Sequence, residues 1–391
     1  MVKTVFFAEI LIQEFDGASR TMFQIIDRID ASRFSFLFVC GQGPEELHGH
    51  RCLHVPTVNT KVNKDYSLSV PLLVRSRLIR ELDAFQPDVI HIATPSLLGF
   101  FALKYARQRS IPVISLYHTN FLSYIPYYLK KMPLLIKPVQ RWMRAATRRF
   151  YNTCQLTYVP SLTMQKQLED LGVEGERLTL WQRGIDLNLF HPGKRDRDYV
   201  QEITGNNQPN ILFASRLVWE KNIQTLIDIY HLLDKQGIAH NFLVVGEGPA
   251  KEEMQEQMPN AIFLGKLSHN DLAALYASCD VFVFPSVSET YGNVVVEAMA
   301  SGLPCVIANG GGSADLIRHR QTGYKCKPKA AEDYLIYIRL LLEDDSLRSY
   351  IARHALDTVQ EMDWNRLTNR YFAELAQLSL KPNRELIWLA G

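Results

Sequence analysis

The sequence predicts an α/β protein built from two doubly wound parallel sheets. Short runs rich in β-branched and aromatic residues alternate with amphipathic, helix-length segments through most of the 391 residues. The runs are apolar at nearly every position, which is typical of parallel strands buried on both faces. The pattern occurs on both sides of a polar stretch at His191–Pro209. A chain of this length divides more readily into two domains than it fills one core.

Twelve runs are predicted to be strands. In the first half they are Val5–Leu11, Phe34–Cys40, Cys52–Val58, Asp88–Thr94, Val113–Thr119, Leu156–Pro160 and Leu178–Trp181. In the second half they are Asn210–Ser215, Asn241–Gly246, Ala261–Leu264, Val281–Pro285 and Cys305–Ala308. We expect an N-terminal Rossmann-like domain at 1–190 and a C-terminal one at 191–362. Residues 363–391 are expected to form a C-terminal helix that packs back on the N-terminal domain.

Composition excludes several protein classes. Apolar residues make up 47% and charged residues 21%, as in soluble globular proteins. No run reaches the roughly 18 apolar residues of a membrane-spanning helix. The N-terminal segment turns acidic early and lacks a small-residue cleavage site, so we predict a first strand there and not a signal peptide. Six scattered cysteines without a CxxC pair indicate reduced thiols and a cytoplasmic protein.

The charge distribution is uneven. Residues 1–190 carry a net charge of +7 and the remainder −5, and no acidic residue occurs between Asp88 and Glu169. Within that interval, residues 120–151 interleave aromatic and aliphatic side chains with cations. The basic residues and the tryptophan are Lys130, Lys131, Lys137, Arg141, Trp142, Arg144, Arg148 and Arg149. Such a segment is typical of anionic membrane surfaces. An ordinary helix with a solvated basic face is the alternative, and nucleic acid is disfavoured because no recognition motif accompanies the charge.

The segment SVSETYGNVVVEAMASGLPCV follows the predicted strand Val281–Pro285. In open α/β sheets, ligands bind beyond the carboxyl ends of the strands. Gly292 and Asn293 are predicted to begin a helix, and a helix N-terminus offers N–H donors and a positive dipole end. Glu289 and Glu297 could accept hydrogen bonds from sugar and ribose hydroxyls. The alternative is that they are a helix-start charge and a surface helix residue.

Three further positions follow predicted strands. Arg216 and Lys221 come after Asn210–Ser215, where fixed positive charge would stabilise a diphosphate. Cations at a helix start are slightly unfavourable, which strengthens the functional interpretation. Gly17 follows the first strand, in a segment that resembles a phosphate-binding or sugar-binding loop. The sequence contains no GxGxxG motif and no P-loop, so neither a dinucleotide-dependent dehydrogenase nor a P-loop kinase is supported. His118 could donate to a sugar hydroxyl or a phosphate, or could be a hydrogen-bonded strand-end histidine.

Together these features resemble the retaining GT-B glycosyltransferases of family four. The matching segments stand in the family's order: Asp16–Gly17, His118, SRLVWEKN, VVGEGP, AIFLGKLS, and Glu289 and Glu297 followed by AMASGLPCV. PDVIHIATPSLLG and WQRGIDLNLFHP are similar to the branch that includes sulfoquinovosyl diacylglycerol synthase and the GDP-mannose-dependent lipid mannosyltransferases. The chain departs from the family's pattern at two places. The first loop has one glycine where many members have two, and Tyr291 stands where Phe is commoner.

The resemblance implies residue roles. Arg216 and Lys221 would hold the donor diphosphate, Glu289 the donor sugar and Glu297 the ribose, with His118 at the reacting sugar. The other donor-binding positions implied are Gly17, Gly265, Lys266, Tyr291, Gly292, Asn293 and Val294. No metal or other cofactor is expected, because the Arg/Lys pair and the helix end would replace it.

The activity implied is retaining transfer of a hexose, such as mannose or glucose, from a UDP- or GDP-sugar. The acceptor would be a lipid or lipid-linked glycan at the inner face of the membrane. Catalysis would depend on His118, Glu289, Arg216 and Lys221. Two alternatives stay open at this point: a GT-B-like nucleotide-sugar epimerase, and a non-catalytic sugar-binding protein.

Overall fold

The computed structural model describes residues 1–13, 15, 17–59, 67–117, 122, 125, 129 and 132–380. The chain forms two compact units: unit 1 comprises Met1–Gln182 and Trp364–Gly391, and unit 2 comprises Arg183–Asp363. The division lies before the predicted junction at 190/191. Phe190 is buried in the core of unit 2, and the Arg183 carbonyl accepts a hydrogen bond from the Tyr291 hydroxyl at 2.8 Å.

Unit 1 contains a sheet of the order β10-β9-β8-β7-β1-β2-β4-β3, in which every pair is parallel except β3 with β4. Its strands are β1 Val2–Ile10, β2 Phe34–Gln42, β3 Glu46–Leu47, β4 His50–His54, β7 Val89–Ile92, β8 Val113–Leu116, β9 Leu156–Val159 and β10 Leu178–Leu180. A separate antiparallel hairpin pairs β5 Thr57–Asn59 with β6 Ser67–Ser69. The winding direction changes at β1, whose neighbours are β2 and β7.

The helices of unit 1 connect these strands. They are α1 Gly17–Ile26, α2 Arg75–Phe85, α3 Leu97–Gln108, α4 Pro133–Tyr151 and α5 Leu162–Asp170, and a 3₁₀ turn at Pro71–Val74 leads into α2. Ser96 and Ser161 cap α3 and α5, each accepting a hydrogen bond from a backbone N–H of the first turn. The helices α3 and α5 closely follow β7 and β9 and so begin near the carboxyl edge of the sheet.

Unit 2 contains a wholly parallel sheet of the order β13-β12-β11-β14-β15-β16. Its strands are β11 Asn210–Ala214, β12 Asn241–Val245, β13 Ile262–Gly265, β14 Val281–Phe284, β15 Cys305–Ala308 and β16 Tyr324–Cys326. The winding direction reverses at β11, which lies between β12 and β14. In such sheets the ligand crevice lies at this switch point.

The helices of unit 2 are α6 Arg197–Thr204, α7 Ile223–Lys235, α8 Lys251–Gln257, α9 His269–Ser278, α10 Asn293–Ala300, α11 Ala331–Glu343 and α12 Asp345–Val359. Short 3₁₀ turns occur at Pro192–Lys194, Trp219–Lys221 and Gly312–Leu316. The strands β11, β12, β14 and β15 are buried along nearly their whole length, as continuous apolar runs predict.

The last helix, α13 Trp364–Ser379, packs on unit 1 and confirms the predicted return of the C-terminal segment. The hydroxyl of Tyr371 lies 2.8 Å from Nδ1 of His91 on β7, and both residues are fully buried. The indole N–H of Trp181 donates to the Leu367 carbonyl at 3.1 Å. The predicted α/β class is confirmed, and each predicted run overlaps a strand, although Cys52–Val58 spans parts of two, β4 and β5.

Two further observations concern the whole described chain. All six cysteines are free and buried. Among the described residues, the longest apolar helical stretches are too short or too charged to cross a bilayer.

Candidate functional site

The central feature of unit 2 is an ion pair between the loops that follow β11 and β14. Lys221 ends the Trp219–Lys221 turn, and its ammonium group contacts Oε1 of Glu289 in the loop after β14. The Lys221 side chain is only 6% exposed and that of Glu289 is 20% exposed. The buried hydroxyl of Ser286 donates to the same Glu289 oxygen at 3.3 Å. The pair is thus largely removed from water.

Electrostatics keep Glu289 ionised. Burial alone would raise the pKa of this carboxyl, and the charge and hydrogen bond of Lys221 are the main opposing contributions. Arg216 and Ser286 act in the same direction, so the pKa of Glu289 lies below its ordinary value. At neutral pH the site therefore holds a carboxylate whose position is fixed by a cation.

A second cation lies beside the first. Nη2 of Arg216 is 3.7 Å from Oε1 of Glu220; the arginine is mostly exposed, and the glutamate is nearly buried. Burial raises the pKa of Glu220, against the opposing charges of Arg216 and Lys221. Sequence reasoning missed Glu220, although it directly precedes Lys221 in the WEKN segment.

Backbone contacts fix the loops around these side chains. Asn222 has a left-handed conformation, with φ of 59°. Its side-chain amide Nδ2 donates to the Pro285 carbonyl at 3.1 Å and joins the loops after β11 and β14. The N–H of Gly312 donates to the Glu289 carbonyl at 2.7 Å. Gly292 precedes α10 with φ of 99°, and a Cβ there would lie 2.7 Å from Cβ of Ser313. Glycine is needed at 292 because the conformation and the close approach both exclude a side chain.

The helix starts of unit 2 differ in charge. Helices α6, α8, α9, α11 and α12 each carry an acidic residue in the first turn. Helices α7 and α10, which follow β11 and β14, carry none. An acid in the first turn would compensate the positive helix end, so its absence leaves that end available to an anion. The two helix starts without an acid, those of α7 and α10, closely follow Lys221 and Glu289, the two residues of the ion pair.

The remaining predicted donor residues lie around this centre. Gly265 ends β13 with φ of 66°, its carbonyl accepts from the Gly246 N–H at 2.8 Å, and the next residue, Lys266, is exposed. The strand β13 is two strands from β11, a separation of about 10 Å. These residues therefore belong to the outer part of the same edge.

The predicted donor residues on α10 and in the loop before it differ in burial and in their hydrogen-bond partners. Asn293, in the first turn, accepts a hydrogen bond from Nη1 of Arg183 at 3.2 Å, and Val294 beside it is half-buried. Glu297 is buried, and the Tyr276 hydroxyl donates to its Oε2 at 3.4 Å. Tyr291 is buried, and its hydroxyl is hydrogen-bonded to the Arg183 carbonyl. Tyr291 thus anchors the loop before α10 within unit 2.

In unit 1, Gly17 is the first residue of α1, after β1, and its carbonyl accepts from the Thr21 hydroxyl at 2.9 Å. The predictions for His118, Lys130 and Lys131, and the Asp16 half of the first-loop motif, lie outside the described residues.

The helix α4 is exposed over most of its length, since only Phe150 and Tyr151 are buried. The spacing of Lys137, Arg141, Arg144 and Arg148 places these exposed cations on one face, and Arg149 is also exposed. Beside them, Leu134 is 90% and Trp142 67% exposed. A basic row thus adjoins an exposed apolar row.

Comparison with solved structures shows the fold. Sucrose-phosphate synthase from Thermosynechococcus elongatus superposes with a TM-score of 0.77 at 17% identity, covering 97% of this chain and 99% of that one. HepE of Anabaena in complex with UDP-glucose gives 0.74 at 20% identity, covering 96% and 100%. At these identities the likeness shows the fold alone, which is that of the GT-B glycosyltransferases.

Sequence comparison shows the family. Residues 15–189 match the model of Glycosyltransferase Family 4, and residues 195–357 match that of Glycosyl transferases group 1. A GDP-mannose-dependent alpha-mannosyltransferase of Corynebacterium glutamicum is 30% identical over 95% of this chain and 89% of that protein. Sulfoquinovosyl transferase SQD2 of Arabidopsis thaliana is 34% identical over 84% of this chain, which spans 63% of the plant protein. The chain belongs to glycosyltransferase family 4.

Proposed function

We propose that this protein transfers a hexose, such as mannose or glucose, from a UDP- or GDP-sugar to a lipid or lipid-linked glycan. The observation that carries the proposal is the buried Lys221–Glu289 pair beside Arg216, at the two helix starts without acids. A diphosphate is the ligand that such an edge favours. Relatives with nucleotide-sugar or lipid substrates in their names support it, including an alpha-monoglucosyldiacylglycerol synthase of Streptococcus pneumoniae, 30% identical over 60% of this chain.

Each side chain then has a chemical task. Arg216 and Lys221 neutralise the diphosphate as the bond to the sugar breaks and negative charge develops on the leaving oxygen. Glu289, held through Oε1 by Lys221, accepts a hydrogen bond from a sugar hydroxyl. Glu297 binds the ribose. The two cations supply the charge stabilisation that a divalent metal provides in other transferases, so we propose that the reaction is metal-independent.

We propose that the reaction retains the anomeric configuration. The acceptor oxygen attacks the anomeric carbon from the face that the diphosphate leaves, and the acceptor proton passes to the departing phosphate oxygen. The anomeric configuration of the product, read from its NMR coupling constant, tests this step. An inverted product would contradict it, and loss of activity with EDTA that added Mg²⁺ restores would contradict metal independence.

The transfer itself is tested with radiolabelled UDP- and GDP-sugars and a panel of lipid acceptors. We expect label in the lipid fraction, and donor consumption only when an acceptor is present. Donor isomerisation without an acceptor would indicate an epimerase. Donor binding without consumption under any acceptor would indicate a sugar-binding protein.

We also propose that α4 attaches the enzyme to the anionic cytoplasmic leaflet. Each basic residue near such a surface contributes about 1 kcal/mol. We expect Arg141→Glu/Arg144→Glu to reduce co-sedimentation with phosphatidylglycerol vesicles at least tenfold. Arg339→Glu/Arg353→Glu on exposed helix faces of unit 2 is the matched control and should bind as wild type does. Equal binding of both variants, or equal binding to vesicles of phosphatidylcholine alone, would remove the idea.

A further inference from the structure

Buried charged side chains are few in this protein, and they lie close to α10. Among the residues that the structure describes, the buried Asp, Glu, Lys and Arg residues are Arg183, Lys221 and Glu297, all in unit 2. Glu297 is on α10, and Lys221 contacts Glu289 in the loop before it. Charged side chains are seldom buried unless specific partners hold them. Sequence reasoning assigned no role to Arg183, the third member of this group.

Arg183 lies beside the first turn of α10 and is 7% exposed. Its Nη1 donates to Oδ1 of Asn293, the first residue of the helix, at 3.2 Å. The guanidinium carbon is 5.8 Å from the centre of the Tyr291 ring, and the Arg183 carbonyl accepts the hydrogen bond from the Tyr291 hydroxyl. Both the backbone and the side chain of Arg183 are therefore held against the segment that begins α10.

The contact with Arg183 determines the orientation of the Asn293 amide. A guanidinium group donates hydrogen bonds and cannot accept them, so the amide atom that faces it is the oxygen. The NH₂ group is then the end of the Asn293 side chain that remains for a ligand, and Asn293 is only half-buried. A hydrogen-bond donor at this place has the same preference for an anion as the backbone N–H groups of the helix start.

The stability of the helix does not explain a cation at this place. The positive end of the helix dipole disfavours cations, and burial adds a further cost. Five other helices of unit 2, namely α6, α8, α9, α11 and α12, carry an acidic residue in the first turn, which is the stabilising choice. The orientation of Asn293 towards an anion gives the buried arginine a function.

From these observations we propose that Arg183 is a positioning residue for the nucleotide-sugar donor. It holds Oδ1 of Asn293 so that the NH₂ group of Asn293 donates a hydrogen bond to an oxygen of the donor diphosphate. This inference rests on the proposed function and adds to it a residue 110 positions before Asn293.

The test is a double-mutant cycle on nucleotide affinity, measured by calorimetric titration of the full-length protein with UDP and with GDP. We expect the Kd of the nucleotide that the wild type binds to rise about tenfold in Arg183→Met, equivalent to about 1.4 kcal/mol. Asn293→Ala should give a similar rise. Because Arg183 acts through Asn293, the double variant should also lose about tenfold, whereas independent effects would multiply to about a hundredfold.

Arg348→Met is the matched control for loss of an arginine from unit 2. Nη1 of Arg348 donates to the Leu341 carbonyl at 2.9 Å, and its side chain is 24% exposed. This variant should unfold at a lower temperature and bind the nucleotide as the wild type does. A purely structural role for Arg183 would give the same outcome in Arg183→Met, a lower Tm with an unchanged Kd.

That outcome would overturn the proposal, and so would a loss of about a hundredfold in the double variant. If Arg183→Met does not fold, Arg183→Lys replaces it in the cycle, because lysine keeps the charge but lacks the planar fork that reaches Oδ1. The same two results then decide. A wild type that binds neither UDP nor GDP would contradict the proposed function itself, whereas wild-type binding with unchanged variants would contradict only the role of Arg183.

Discussion

Removing Lys221 should destabilise unit 2 by leaving the Glu289 carboxylate buried without its counter-charge. Breaking a buried ion pair from one side costs about 3–5 kcal/mol. Because the Glu289 side chain is 20% exposed, we expect the lower end for Lys221→Met, about 3 kcal/mol. For a unit of this size, 1 kcal/mol corresponds to about 2–4 °C, so Tm should fall by about 6–12 °C. Differential scanning calorimetry at pH 7 measures the shift.

The pH dependence has a definite sign. The folded-state pKa of Glu289 is lowered, so its ionisation stabilises the fold above the unfolded carboxyl pKa of about 4.3, and this contribution is lost as the pH falls through the folded value. In Lys221→Met, burial without the cation would raise the pKa of Glu289. The loss of folding stability in Lys221→Met relative to wild type should therefore be greatest at neutral pH and become smaller below about pH 5.

Two control variants distinguish loss of the buried Lys221–Glu289 ion pair from loss of a lysine in general. Lys251→Met breaks a more exposed ion pair with Glu247 in the same unit, 2.7 Å long, and should cost below about 0.5 kcal/mol. Lys221→Met/Glu289→Gln should regain part of the lost stability, because no charge is left buried alone, yet stay inactive. A Tm decrease for Lys221→Met as small as that for Lys251→Met would refute the reasoning.

Two further predictions concern helix termini and the last helix. Asn293→Asp places an acid at the start of α10 and should stabilise the unliganded protein by about 0.3–1 kcal/mol while weakening nucleotide-sugar binding at least tenfold. The control Asp271→Asn, in the first turn of α9, should lower the stability by a similar amount and leave donor affinity unchanged. Thermal shift measures the stability of both variants, and calorimetric titration measures their donor affinity. Unchanged donor affinity in Asn293→Asp would contradict the assigned anion site. Tyr371→Phe removes the hydrogen bond to His91 and should cost about 1–3 kcal/mol in urea unfolding; a smaller loss would contradict the anchoring of α13.

The sequence predicted the strands well because parallel strands buried on both faces are continuous apolar runs. It missed β3, β6 and β16, which are two or three residues long and lie at sheet edges or in a separate hairpin, and it joined β4 and β5 into one run, Cys52–Val58. Runs this short have no periodicity to detect. The two compact units divide after Gln182, whereas the junction was predicted where the polar stretch His191–Pro209 begins.

At the candidate site, the sequence identified positions but not partners. Arg216, Lys221 and Glu289 were chosen because they follow strands. That Lys221 contacts Glu289 depends on the adjacency of β11 and β14 across 68 residues, which spacing alone cannot predict. The hydrogen bond from Tyr291 to the Arg183 carbonyl, 108 residues away, was missed for the same reason.

The arrangement of charge at the candidate site follows from the cost of burial. Two cations and two carboxylates alternate there: Arg216 lies near Glu220, and Lys221 contacts Glu289. A buried Lys221 without a carboxylate would be strongly destabilising, so Glu289 supplies the counter-charge that this lysine requires in the folded unit. Under the proposed function, a diphosphate has to compete with Glu220 for Arg216 and with Glu289 for Lys221. We therefore expect donor affinity to depend on that competition as well as on the number of positive charges.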